Sequence, residues 1–275
     1  MKNEQKVLLA VLAHPDDETF GTGGTLALYA QRGVAVHLVC ATRGEVGEME
    51  EKYMRGFNSI AERREAELRC AAEKLGLAGV YFLDYRDSGM PGTPDNEHPQ
   101  ALAAQPVERV AEEITGYIRR LQPQVVITFD PIGGYRHPDH IAIHKATVAA
   151  FEALVKTGEA PQKLYFQTIP RTLLRWAVRI MKLIGKDPRK FGKNGDIDIQ
   201  SIVEVDFPTH AVIDYRSVAD IRDEASACHA SQGGASLTSG SLMGRARRWF
   251  MSKELYMRAY PPVQAGEKVE RDLFA

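Results

Sequence analysis

Between Lys6 and His14 the chain runs Val-Leu-Leu-Ala-Val-Leu-Ala without one polar position. A strand that alternates apolar and polar residues can face water on one side, but a continuously apolar strand must be covered on both. Such a strand belongs in the middle of a parallel sheet with helices on each face. Val34 to Ala41 and Gln124 to Phe129 repeat the pattern, and Val80 to Leu83 is a shorter version. Between them lie stretches of helical character: Thr25 to Gln31 with Gly33 as a stop, Ser59 to Leu75 closed by Gly76, Gln105 to Leu121, and Pro138 to Val155. Lys163 to Thr168 and Ser201 to Val205 read as later strands, and Val218 to His229 as a last helix. Strands and helices in alternation predict an α/β fold: a Rossmann-like, mainly parallel sheet with helices on both faces and ligands bound at the carboxyl ends of the strands. Two stretches break the alternation. Asp87 to Pro99 and Lys186 to Asp196 are rich in Gly, Pro and Asp and are expected to be loops.

The 275 residues, 44% hydrophobic and 26% charged, suit one domain spanning 1–275, with a basic helical insertion around 170–200. They exclude a collagen, a disulfide mini-protein and a mostly disordered chain. With 35 Lys and Arg against 36 Asp and Glu, a bulk electrostatic grip on nucleic acid is not expected. The first apolar run is too short to cross a bilayer and leads straight into acidic residues, so neither stable membrane insertion nor a signal peptide is expected. Cys40, Cys70 and Cys228 are far apart and odd in number. They read as three half-buried thiols in a reducing, cytoplasmic setting. Nothing in the sequence excludes a homo-oligomer.

The chemistry concentrates at two strand ends. The first strand passes into Ala13-His14-Pro15-Asp16-Asp17-Glu18. Pro15 pushes His14 toward an extended conformation, which would splay His14 and Asp17 as two ligands and leave Asp16 free. The fourth strand passes into Asp130-Pro131-Ile132-Gly133-Gly134-Tyr135-Arg136-His137-Pro138-Asp139-His140. Two such segments can meet at one point and supply His, Asp and His to a metal, the composition of a catalytic zinc site with an open position. A 2-His-1-carboxylate iron site has the same composition, and the sequence does not separate the two metals.

With these segments the chain resembles the LmbE-like (PIG-L type) N-deacetylases, metal-dependent hydrolases of N-acetylglucosamine-type groups. Supporting matches are Gly21 to Gly24, Thr42 to Glu45, Arg64 to Gly76, Tyr85 to Met90 and Cys228 to Gln232. The resemblance implies that His14, Asp17 and His140 bind the metal and that Asp16 is the general base. His137 would steady the oxyanion as a cation or protonate the leaving amine, and Asp139 would orient an imidazole. Arg64 and Asp87 would lie near the sugar, and His229 near the pocket, either with a substrate or supporting role or as a core histidine. The cofactor implied is Zn2+, with Fe2+ or another divalent metal as alternatives, and the partner is a small amino-sugar compound. Arg136 departs from the family pattern and is expected to place a cation beside His137. Three other readings stay open: an amidase on amino-sugar thiol conjugates, a nucleotide-binding or regulatory module with a degenerate metal site, and an iron-dependent oxygenase. Gly21, Gly23 and Gly24 lack the third glycine and the direct strand-to-helix placement of a dinucleotide fingerprint.

His144 follows His140 by four residues and shares its helix face; it is expected to be a packed helix histidine. Arg171, Arg175, Arg179, Lys182 and Lys186 recur every three or four residues as a basic stripe, with Leu173, Trp176, Ala177, Ile180 and Ile184 on an opposite apolar side. The stripe reads either as a solvated face of a helix packed on the core, or as a cap or surface for an anionic substrate, a partner or a membrane. Arg245, Arg247 and Arg248 beside Trp249 and Phe250 repeat the composition.

Overall fold

A computed structural model describes residues 5–169, 171–191, 197–234 and 252–275. The second basic cluster, Arg245, Arg247 and Arg248 with Trp249 and Phe250, lies outside the described residues. In chain order the elements are β1 (Val7–Leu12), the single turn α1 (Asp17–Phe20), α2 (Gly23–Gln31), β2 (Ala35–Thr42), α3 (Ile60–Leu75), β3 (Gly79–Tyr85), α4 (Val107–Leu121), β4 (Val125–Phe129), the short turn α5 (Gly133–Arg136), α6 (Pro138–Thr157), β5 (Lys163–Thr168), α7 (Arg171–Leu183), α8 (Ile199–Val203), β6 (Ala211–Asp214), α9 (Ala219–Cys228) and β7 (Lys253–Tyr260).

The strands form one sheet in the order β3-β2-β1-β4-β5-β7-β6. The first five are mutually parallel, while β7 runs antiparallel to both β5 and β6. The central strands are covered on both sides, as their composition requires. Leu8 to Leu12 of β1 are fully buried, and so are Val126 and Ile127 of β4. Each large side chain so buried contributes about 1.5–3 kcal/mol. α2 and α3, joined by α9, pack together on one face, and α4 packs on α6 on the other. From β1 the chain moves to β2; from β4 it moves the opposite way, to β5. The gap between the carboxyl ends of β1 and β4 is therefore the switch point of the sheet, where ligands bind in open α/β folds.

Four expectations are corrected. Ser201 to Val205 is not a strand: Asp198 caps a helix there by accepting from Ser201 N–H (3.0 Å), and Ile199 and Ile202, three apart, are buried in a small cluster with Val178 of α7. Strands β6 and β7 were not anticipated. Their half-buried residues alternate, and they pair antiparallel at one edge of the sheet. The cysteines are not three thiols. α3 and α9 lie side by side and bring Cys70 and Cys228 to a Cα–Cα distance of 5.8 Å, where they form a disulfide, while Cys40 is free and buried. Their separation of 158 residues carries no hint of that pairing. Finally, Arg171 does not belong to an exposed stripe: it is buried, with its guanidinium on the carbonyls of Ile202 and Val205 and on Asp130. Among the described residues no helix is long and apolar enough to cross a membrane.

Candidate metal centre

Each of the two loops at the switch point is folded by its own side chains. After β1, the Asp17 carboxylate turns back and accepts from His14 N–H (2.7 Å), which brings Asp17 beside the His14 ring. Asp16 sits between them with φ +128°, a conformation that non-glycine residues seldom hold without support. The support is local. Glu18 accepts from Asp16 N–H (2.9 Å), and Arg64 reaches Pro15 O (2.7 Å) and the Asp16 carboxylate (3.0 Å).

After β4, buried Asp130 accepts from the N–H groups of Ile132 (3.1 Å) and Gly134 (2.8 Å), and so shapes the turn that leads into α6. Gly133 has φ +62°, and a Cβ there would lie 2.7 Å from His140 Cβ. Only glycine lets this turn pass so close to α6. His137 caps α6: its Nδ1 accepts from Asp139 N–H (3.2 Å), and Pro138 follows at the first helical position. One turn later, the His140 ring stacks on Phe129 (centroids 3.9 Å apart), and its Nδ1 meets the Gly133 carbonyl at 3.2 Å. A carbonyl only accepts, so Nδ1 of His140 carries a proton and Nε2 faces the site.

The two loops converge. His14 Nδ1 lies 3.2 Å from His140 Nε2 and 3.6 Å from Asp17, and His140 Nε2 lies 3.3 Å from Asp17. With metal–ligand bonds of about 2.0–2.1 Å, the edge of a tetrahedral coordination shell is about 3.3 Å, so these three donors are spaced to share one ion. The opposite nitrogen of His14, Nε2, is 3.0 Å from Asp139. Asp139 is itself fixed by Ser88 N–H (2.9 Å) and by the Ser88 hydroxyl. If His14 donates from Nε2 and His140 from Nδ1, the nitrogens facing each other both present lone pairs. A cation must then lie between them, either a proton or a metal ion. Burial alone would make His14 less basic, but the carboxylates of Asp139, Asp17 and Asp87 outweigh it and hold its pKa well above the ordinary value. For Asp17, burial is outweighed by His140 and His14, and its pKa lies well below the ordinary value. A metal ion would displace the proton that His14 holds. His137 also has a ring nitrogen within reach of an ion shared with His14 and His140, and Asp87 and Asp139 form a further group with His14.

Asp16 faces Arg64 rather than the converging donors. Burial raises its pKa to about 6, against the opposing pull of Arg64. His137 differs from the cation expected. Burial, then His14 and His140, push its pKa well down, and its Nδ1 is already an acceptor. The ring is therefore neutral and can donate only from Nε2.

The residues expected near a sugar or its pocket are all buried. Arg64 also binds Gly44 O (3.0 Å). Asp87 lies 3.6 Å from His14 Nε2 and accepts from Gly89 N–H (2.8 Å). His229 meets Glu18 at 2.6 Å. Arg136 does not place its charge beside His137: its guanidinium turns to Ser201 of α8, with Nε 3.0 Å from the hydroxyl. His144 is a packed helix histidine as expected, its Nδ1 on Phe129 O (2.8 Å). Sequence reasoning assigned no role to Glu18, Ser88 or Tyr135. All three lie inside the motif segments, and Glu18 and Ser88 adjoin residues given a role. The Tyr135 ring, 4.9 Å from that of His140, shows itself only in three dimensions.

A mainly parallel sheet with a buried His/Asp cluster at its switch point defines an α/β protein with a candidate metal site. Residues 9–151 match the family model PIG-L: GlcNAc-PI de-N-acetylase, and the chain belongs to this family. It is 37% identical over 281 residues to the 1D-myo-inositol 2-acetamido-2-deoxy-alpha-D-glucopyranoside deacetylase of Acidothermus cellulolyticus, covering 98% of this chain and 94% of that one. Among solved structures, the conserved protein TT1542 of Thermus thermophilus superposes with a TM-score of 0.60 at 22% identity, over 95% of this chain and 98% of the other. The 4-carboxy-2-hydroxymuconate hydratase of Pseudomonas putida does so with a TM-score of 0.56 at 24% identity, over 96% of this chain and the whole of the other. These two likenesses are of fold.

Proposed function

We propose that this protein is a zinc-dependent N-deacetylase that removes acetyl from an N-acetylglucosaminyl compound with a small polyol aglycone, such as the inositol conjugate named for its relative. The catalytic domain spans the chain, with α7 and α8 as its insertion. The observation that carries the reading is three donor atoms 3.2–3.6 Å apart beside a carboxylate, Asp16, that is not among them. His14, Asp17 and His140 would hold the ion, which supplies Lewis acidity for the amide carbonyl and for water.

The remaining steps fall to the chain's own residues. Asp16 takes the proton of the attacking water and returns it to the leaving amine; a carboxyl with a pKa of about 6 suits both transfers near neutrality. Arg64 and Glu18 hold Asp16 in its uncommon backbone conformation. His137 donates from Nε2 to the developing oxyanion, a contact whose loss typically costs on the order of 10²–10³ in rate. Asp139 keeps the His14 ring turned so that Nδ1 faces the other donors. Arg64, Asp87 and His229 act on the sugar through the loops they hold.

The test is amine release across a panel of N-acetylated sugars, including an inositol glycoside, with metal analysis of the purified protein and a chelator arm. One zinc per chain and chelator-sensitive release are expected. Absence of bound metal together with absence of release from every substrate would favour the degenerate module instead.

A further inference from the structure

The helix α7 shows two apolar faces. Leu174, Val178 and Met181 turn inward and pack with Ile199 and Ile202 of α8. Trp176, Ile180, Leu183 and Ile184 turn outward and are 57%, 53%, 85% and 62% exposed. At 100° per residue the second set spans about a 100° arc along one ridge. The expected apolar side of this segment is thus largely its exposed side, and only its inward neighbours are packed; the side chain of Leu173 lies outside the described residues. Phe191, 47% exposed, follows in the next turn of chain.

Cations border this ridge. Arg175 pairs with Asp206 (3.1 Å). Arg179 lies over the Trp176 ring at 5.3 Å, and neither it nor Lys182, Lys186, Arg189 or Lys190 has a carboxylate partner among the described residues. A hydrated solvent face does not need four large apolar side chains, and a packed face does not leave them in water.

We infer that this outward ridge of α7 docks on an anionic lipid surface. A protein partner would need a groove matched to a single helix ridge, whereas a bilayer deforms around one. Tryptophan favours the interfacial zone, Lys and Arg stems can lie along apolar surface with their charges at the headgroups, and the bordering charge is complementary to acidic lipid. The ridge stands on the site side of the sheet: α7 follows the carboxyl end of β5 and is tied to the Asp130 turn through Arg171, and α8 is tied to Arg136. Docking would leave the protein peripheral, held by one helix face, and does not depend on which amide it hydrolyses.

The experiment is vesicle co-sedimentation of the full chain with phosphatidylcholine alone and with phosphatidylglycerol added, each at low and high salt. Two variants are compared, Trp176→Ser with Leu183→Ser and Lys182→Glu with Lys186→Glu, with unchanged circular dichroism and melting temperature as the fold control. Binding is expected only with phosphatidylglycerol, weakened by salt. The apolar variant should bind at least about tenfold more weakly, and the charge variant about twentyfold or more, at roughly fivefold per lysine removed. No binding to acidic vesicles, equal binding to neutral ones, or binding indifferent to the apolar variant would each overturn the inference. A native dimer that the apolar variant converts to monomer, without vesicle binding, would assign the ridge to a second copy of the chain instead.

Discussion

Replacing Asp139 with Asn tests whether the buried carboxylate behind His14 sets metal affinity. Asp139 accepts through one oxygen from both His14 Nε2 (3.0 Å) and Ser88 N–H (2.9 Å), and through the other from the Ser88 hydroxyl. An Asn can keep its oxygen on the first pair and turn its NH2 to the serine hydroxyl. That hydroxyl already accepts from Ala103 N–H (2.9 Å) and has a second lone pair to offer. Shape and most hydrogen bonds therefore survive, and the loss is chiefly the charge that polarises the imidazole. A hydrogen bond to a charged group contributes about 1.5–3 kcal/mol and a neutral one about 0.5–1.5, so the difference is about 1–2 kcal/mol. At 1.4 kcal/mol per decade this is roughly a five- to thirtyfold weaker zinc affinity, in the range seen for partners of metal-bound histidines. Zinc titration against a competing chelator measures it, with kcat read at saturating zinc. An Asp139→Asn variant whose zinc Kd lies within twofold of the parent would refute the assignment of His14 as a ligand oriented by Asp139.

Alanine in place of His14, Asp17 or His140 should each remove most bound metal, measured as metal per chain; full occupancy in all three variants would remove the ligand set. Asp16→Asn should keep the metal and lose nearly all amine release, and loss of both together would make Asp16 a ligand. Gly133→Ala should lower stability by about 1–2 kcal/mol for the left-handed backbone alone, with a further cost from the 2.7 Å approach to His140 Cβ; a melting temperature equal to the parent's would show that the turn relaxes freely. Cys70→Ala with Cys228→Ala should lower unfolding free energy by about 2–5 kcal/mol in denaturant titration, and an unchanged midpoint would show that α3 and α9 hold together without the bond.

The sequence by itself determined the sheet and the place of the site. Continuous apolar runs such as Val7 to Leu12 and Val125 to Phe129 have only one economical fate, burial on both faces, and the polar segments that follow them must emerge at strand ends. Burial and periodicity are local properties and can be read locally. The last two strands lack that signature: β6, at the edge, and β7, beside it, are half-buried, and their pairing depends on where β5 ends. Ser201 to Val205 is as apolar as a short strand, and only the capping by Asp198 and the seat on α7 made its first three residues helical. The convergence of His14, Asp17 and His140 follows from β1 and β4 being neighbours at the switch point, which chain order does not specify. The neutral state of His137 was decided by its capping of α6, and the direction of Arg136 by Ser201 lying 65 residues on. The Cys70–Cys228 bond and the outward turn of Trp176 are likewise tertiary outcomes. Each depends on which surface another element has already covered, and that competition for cover is settled only when the whole chain packs.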